Sequence, residues 1–117
     1  MNDDFLAYVH ELFSGLGAVS TRAMFGGHGV YHDGMFIALV IDDAIHLKVD
    51  EQTRAIFEAA GCRPFEYPLR GKRLTMSYWS VPASAMDSPQ AMLPWARLAW
   101  EAALRKPKAR VGRKPKR

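Results

Sequence analysis

Apolar positions along this chain change period several times. Over residues 4–16, Phe5, Val9, Leu12, Phe13 and Leu16 fall on one helical stripe. Residues 19–25 read as an extended lead-in. Gly26, Gly27 and Gly29 then interrupt any regular pattern, which predicts a turn or bulge. Strands follow at about 28–32, 35–41 and 44–49. Asp33-Gly34 is a strong two-residue hairpin signal, and Asp42-Asp43 a weaker one. Asp50 caps a short helix over 51–60 with Ile56 and Phe57 facing inward, and Gly61 suits its C′ position. Phe65, Tyr67 and Leu69 alternate, as do Leu74, Met76 and Tyr78, so a second hairpin spans 65–69 and 73–81 with its turn at 70–72. Ser88-Pro89 reads as a cap with proline at the first helical position. Pro94 predicts a break, with the main helix over 94–104. The order α-β-β-β-α-β-β-α predicts a two-layer α+β fold: an antiparallel five-stranded sheet with helices on one face.

Two-residue turns fix which side chains share a face. Across Asp33-Gly34, His32 opposes Met35, Val30 opposes Ile37 and His28 opposes Leu39. Across Asp42-Asp43, Ile41 opposes Ala44, Leu39 opposes His46 and Ile37 opposes Lys48. One face then holds Tyr31, Phe36, Ala38, Val40, Ile45, Leu47 and Val49, and is the predicted core. The other holds His28, Val30, His32, Met35, Ile37, Leu39, Ile41, His46 and Lys48. On it, Val30, Ile37, Leu39 and Ile41 form an aliphatic patch larger than scattered surface apolars. These four are the expected protein interface, toward another protein or a second copy in a homodimer. Cover by a loop or terminal segment is the competing reading.

Composition sharpens this picture. With 117 residues and 49% apolar content, the chain can bury one core. Charge is uneven: residues 105–117 carry Arg105, Lys106, Lys108, Arg110, Arg113, Lys114, Lys116 and Arg117 and no acid, whereas 1–104 carry all 12 acids. The reading is a domain over 1–104 and a disordered basic tail over 105–117. Such a tail binds phosphate backbones without reading bases; a solubilising tail is the plain alternative. A single cysteine excludes an intrachain disulfide framework. The acidic start lacks the pattern of a secretory signal, and no apolar run reaches membrane length, so a cytoplasmic protein that does not enter membranes is expected.

The chemistry-bearing residues do not assemble into a reaction site. The glycines around His28 lead into a strand, whereas phosphate loops open a helix. His28 and His46, on the predicted mixed face, stand two strands apart, about 10 Å at the backbone, with no third ligand, and zinc needs three or four. Cys62 reads as a small buried side chain, and Asp42-Asp43 and Asp50-Glu51 as turn and cap residues. Met24, Met35, Met76, Met86 and Met92 fill core gaps. Trp95 and Trp100 pack, and Trp79, out of phase with its neighbours, reads as exposed. No catalytic residue, metal site or cofactor is expected.

The chain also resembles the TfoX (Sxy) N-terminal domain family. The matching residues are Arg22-Ala23-Met24-Phe25-Gly26-Gly27, Gly29-Val30-Tyr31, Asp33-Gly34, Leu47-Lys48-Val49-Asp50, Pro64-Phe65-Glu66-Tyr67, Met76-Ser77-Tyr78 and Leu93-Pro94-Trp95-Ala96-Arg97. The resemblance implies a two-layer α+β fold and a non-enzymatic role. TfoX-like proteins regulate competence genes together with the cyclic-AMP receptor protein, and full-length members add a C-terminal helical domain where this sequence has the basic tail. The expected function is a regulatory module acting through protein contacts, with weak DNA contact by the tail. The alternatives are a sequence-nonspecific nucleic-acid-binding protein driven by the tail, and a small-ligand-binding domain.

Overall fold

Three helices cover one face of a six-stranded antiparallel sheet. The computed structural model describes residues 3–24 and 26–105. The elements are α1 (Asp3–Leu12), β1 (Ser20–Met24), β2 (Gly27–His32), β3 (Met35–Ile41), β4 (Ala44–Lys48), α2 (Arg54–Ala59), β5 (Pro64–Leu69), β6 (Lys72–Ser80), a 3-10 turn (Ala83–Asp87) and α3 (Pro89–Arg105). The α+β class is as expected, with six strands where the sequence predicts five. The added strand is the lead-in: Ser20 to Met24 pairs with Tyr31 to Gly27. It is an edge strand with mixed exposure, so it carries no clean alternation to read.

Local turn chemistry sets the hairpins. Asp33 and Gly34, Asp42 and Asp43, and Arg70 and Gly71 all have positive φ. Two consecutive left-handed residues match the twist of antiparallel strands, the type I′ signature. The sheet order is β1-β2-β3-β4-β6-β5. The second hairpin therefore joins through β6, and β5 becomes an edge bearing Pro64 and Pro68, residues that sheets tolerate at edges.

One irregularity reverses part of the predicted face assignment. His32 opposes Met35 as expected, but Tyr31 opposes Phe36 and Val30 opposes Ala38, which leaves Ile37 as an extra residue in β3. Such a bulge shifts every pair beyond it by one residue. Val30 and Ile37 consequently face the helices and are fully buried in the core, together with Ala38, Val40, Ile45 and Leu47. Tyr31 and Phe36 move to the opposite face, outside that core.

The helices complete the core with Val9, Leu12 and Phe13 near α1, Phe57 of α2, and Met92, Ala96, Ala99 and Ala103 of α3. Ile56 does not face inward; it is 46% exposed. Its neighbour Phe57 takes the one inward position of this short helix and meets Trp95 edge-on at 5.1 Å. Trp79 is core and not surface, 8% exposed and paired with Leu47. Trp79 shares the helix-covered side of the sheet with its partner Leu47, and both belong to the core. Ser88 Oγ accepts from Ala91 N (3.0 Å), the expected cap. The break expected at Pro94 is absent, and α3 runs through it. Pro94 is exposed, so water can take the carbonyl it leaves unpaired, while the buried stripe from Met92 to Ala103 keeps the helix on the sheet. No helix among the described residues is long and apolar enough to cross a membrane.

Candidate protein-interaction surface

The four residues expected to form an interface do not share a surface. Val30 and Ile37 lie under the helices. Leu39 is on the helix-free face but only 1% exposed, and Ile41 is partly buried. The bulge removes the first two. Leu39 is central, with Gly29 opposite on one side and His46 on the other.

Aromatic rings flanked by cations occupy the helix-free face instead. Tyr31 stacks on Phe36 with ring centroids 5.1 Å apart, and Phe36 meets Tyr78 at 5.2 Å. The Arg22 guanidinium sits 5.4 Å from the Tyr31 ring centre, and the Lys48 ammonium 4.8 Å from that of Tyr78. Lys48 Nζ also donates to Tyr78 Oη at 3.0 Å. Burial, helped by nearby Tyr31, pushes the Tyr78 hydroxyl up to about 12, so it stays a neutral partner for the ammonium at any physiological pH. Gly29 makes the cluster possible. A Cβ there would lie 2.8 Å from both Met24 Cε and Phe36 Cε1, so glycine leaves these two side chains room to cross the strand in the positions they hold. That interrupting glycine was the sequence signal for this face, since a strand-interior glycine marks a bulge or close approach.

Further along the face, His46 packs against Phe65 at 4.9 Å. Burial holds its imidazole below the usual histidine range. It lines a cavity of about 380 Å3 with Arg63, Pro64, Phe65, Glu66 and Ser80. His28 opposes Val40, a core residue, while His46 opposes Leu39 on the other side of the sheet. The two histidines placed together by the sequence pattern therefore point to opposite faces. Among the described residues, no three His, Cys, Asp or Glu side chains gather to hold a metal ion. Cys62 is buried, and burial raises its thiol against a smaller opposing effect of Ser80. Asp50 does not cap the helix as expected: α2 starts later, with Thr53 at its N-cap. Asp50 instead closes an Asx turn ahead of it, its carboxylate accepting from Gln52 N (3.1 Å) and Thr53 N (3.2 Å).

Arg105, assigned from sequence to the tail, is the last residue of α3. It grips the Asp50 carboxylate with Nε at 2.7 Å and Nη2 at 3.0 Å. That hydrogen bond is the main reason Asp50 stays below the ordinary carboxylate range. Lys106, Lys108, Arg110, Arg113, Lys114, Lys116 and Arg117 lie outside the described residues.

The fold is a two-layer α+β domain whose antiparallel sheet carries helices on one face only. The TfoX N-terminal domain model matches residues 11–103, and the chain belongs to that family of regulatory domains. It is similar to the DNA transformation protein TfoX1 of Aliivibrio fischeri (strain ATCC 700601 / ES114), with 28% identity over 86 residues. The match covers 74% of this chain and 41% of that relative, so the chain spans well under half of the relative's length.

Proposed function

We propose that this chain is a non-enzymatic regulatory module for DNA transformation, acting in the cytoplasm on a protein partner of the transcription machinery. The observation that carries the reading is the helix-free face. Its Arg22–Tyr31–Phe36–Tyr78–Lys48 cluster has the aromatic and arginine content typical of protein-binding hot spots. Family membership supports the regulatory role, and the relative's name supports the process.

Deletion of the gene in its own host tests the reading. Transformation frequency and transcripts of DNA-uptake genes should both change. The intact chain should restore them, and Arg22→Glu with Tyr31→Ala should not, while the purified variant keeps its fold by circular dichroism. Unchanged frequency and transcripts in the deletion strain refute the proposal.

A second reading rests on the eight cations of residues 105–117. Contact of about four of them with duplex phosphates gives a log–log salt slope near −3.6, at roughly −0.9 per contact. A gel shift comparing the full chain with one ending at Arg105 measures this contribution. Equal DNA affinity removes the tail from the mechanism.

A further inference from the structure

A cavity of about 570 Å3 opens where β6 runs on past the end of β4. β4 pairs with β6 as far as Lys48 opposite Tyr78, and one more rung follows, Val49 N to Ser77 O at 2.9 Å. Asp50 then turns the chain away toward α2, held from α3 by Arg105. β6 begins at Lys72, so among the described residues its inner edge from Lys72 to Met76 faces no strand. In an antiparallel ladder, alternate residues turn their N–H and C=O toward the same neighbour. The Val49–Ser77 rung therefore aims the backbone N–H and C=O of Thr75 into the cavity, whose wall includes Thr75, Met76 and Ser77.

We infer that this inner edge of β6 is a strand-docking groove for an extended acidic segment of a partner protein. The inference rests on reading the chain as a protein-binding regulator, and it adds the place and the chemistry of the partner. Five residues of open edge span about 16 Å at ~3.3 Å per residue, enough for a short added strand. Val49, Pro64 and Trp79 supply apolar wall for its side chains.

Charge selects the occupant. Lys48, Arg54 and Arg105 line the cavity against Asp50 and Glu51. Four of these charges balance in pairs, Asp50 with Arg105 and Glu51 with Arg54, so the positive excess lies with Lys48, which also donates to Tyr78, and with the hairpin tip. Exposed Arg70 and Lys72 sit at the tip of the same hairpin, and Glu66 adds one acid on β5. A segment with acids at alternate positions meets these cations while its backbone extends the ladder. The chain's own residues 106–117 follow Arg105 at the rim, but their seven cations and absence of acids make them the wrong occupant. The outer edge of the hairpin, β5, is closed to strand addition by Pro64 and Pro68.

The test is fluorescence anisotropy on the full chain with a labelled, C-terminally amidated octapeptide alternating Glu and Val. It should bind, whereas the same peptide N-methylated at alternate amides and a Lys–Val counterpart should bind at least about tenfold more weakly. Amide exchange at Thr75 should slow by about tenfold in the complex. Arg54→Glu, on an exposed helix, should weaken binding several-fold without altering the fold. No binding of the Glu–Val peptide at about 1 mM, equal binding of the N-methylated form, or unchanged Thr75 exchange overturns the groove. Protection centred on Tyr31 and Phe36 overturns it too, while leaving the regulator reading intact. A tenfold gain in affinity on removing residues 106–117 would make the tail the occupant and overturn the assignment. A deletion strain with normal transformation would sink the regulator reading alone, since peptide binding is measured separately.

Discussion

Gly27 and Gly29 occupy the same strand two residues apart, yet alanine should have very different effects at the two positions. At Gly27 an added Cβ would lie 2.1 Å from Val40 O, a backbone atom, and 2.9 Å from Ile41 Cγ1. An ordinary carbon–oxygen contact is about 3.3 Å, so β2 and β3 would have to separate by about 1 Å there. Loss of one or two ladder bonds at about 1 kcal/mol each, with local overpacking of 1–3 kcal/mol by rough estimate, puts the cost near 3 kcal/mol. At Gly29 the added atom meets only Met24 Cε, Phe36 Cε1 and Met24 Sδ, all at 2.8–3.0 Å. Those are ends of side chains, and rotating them costs about 0.5–1.5 kcal/mol. The reduced freedom of the unfolded alanine chain offsets about 0.4–1 kcal/mol of that. Gly29→Ala should therefore cost about 1 kcal/mol or less. For a domain of this size, ~4 °C per kcal/mol translates the two into Tm losses of about 12 °C and about 4 °C or less. Thermal and urea unfolding followed by circular dichroism would measure both. If Gly27→Ala is no more destabilising than Gly29→Ala, the close β2–β3 approach is not what requires glycine at 27. Gly29→Ala should also shift the ring resonances of Tyr31 and Phe36, and Gly27→Ala should not do so selectively.

Other outcomes follow from burial and titration. Trp79→Ala should cost about 3–5 kcal/mol, whereas Ile56→Ala, at a position 46% exposed, should cost under about 1 kcal/mol by equilibrium unfolding. His46 has a folded pKa below its ordinary value of 6.5, so the unfolded chain binds the extra proton. Its contribution to stability is full above that value and is lost as pH falls through the lower folded value. His46→Gln should therefore flatten the fall in urea midpoint on acidifying from neutrality, and an unchanged pH profile would refute that role. Asp50 has the same sign at lower pH: its depressed pKa contributes stability above 3.8 that is lost on further acidification. Asp50→Asn should accordingly flatten the acid limb of the unfolding profile.

The hairpins, the cap of α3 and the class of fold were legible because each is decided within a few residues. Asp33-Gly34 and Asp42-Asp43 place two left-handed residues in sequence, and that conformation turns the chain whatever surrounds it. The Ser88 cap and the Asp50 Asx turn are equally local. The sheet faces were not legible, because a strand's side-chain parity depends on every residue between the turn and the position in question. One unpaired residue, Ile37, sends Val30 into the core and brings Tyr31 and Phe36 out, and no local preference marks which residue a ladder will skip. Trp79 and Pro94 were misread for a related reason. Trp79 is buried because pairing with Leu47 of β4 puts it on the side of β6 that meets the helices, and Pro94 is carried through α3 by the stripe that packs on the sheet. Sequence alone settled where the chain turns and how its elements begin. Only the packed sheet decided which side of each strand meets the helices, because pairing partners distant in sequence set the register.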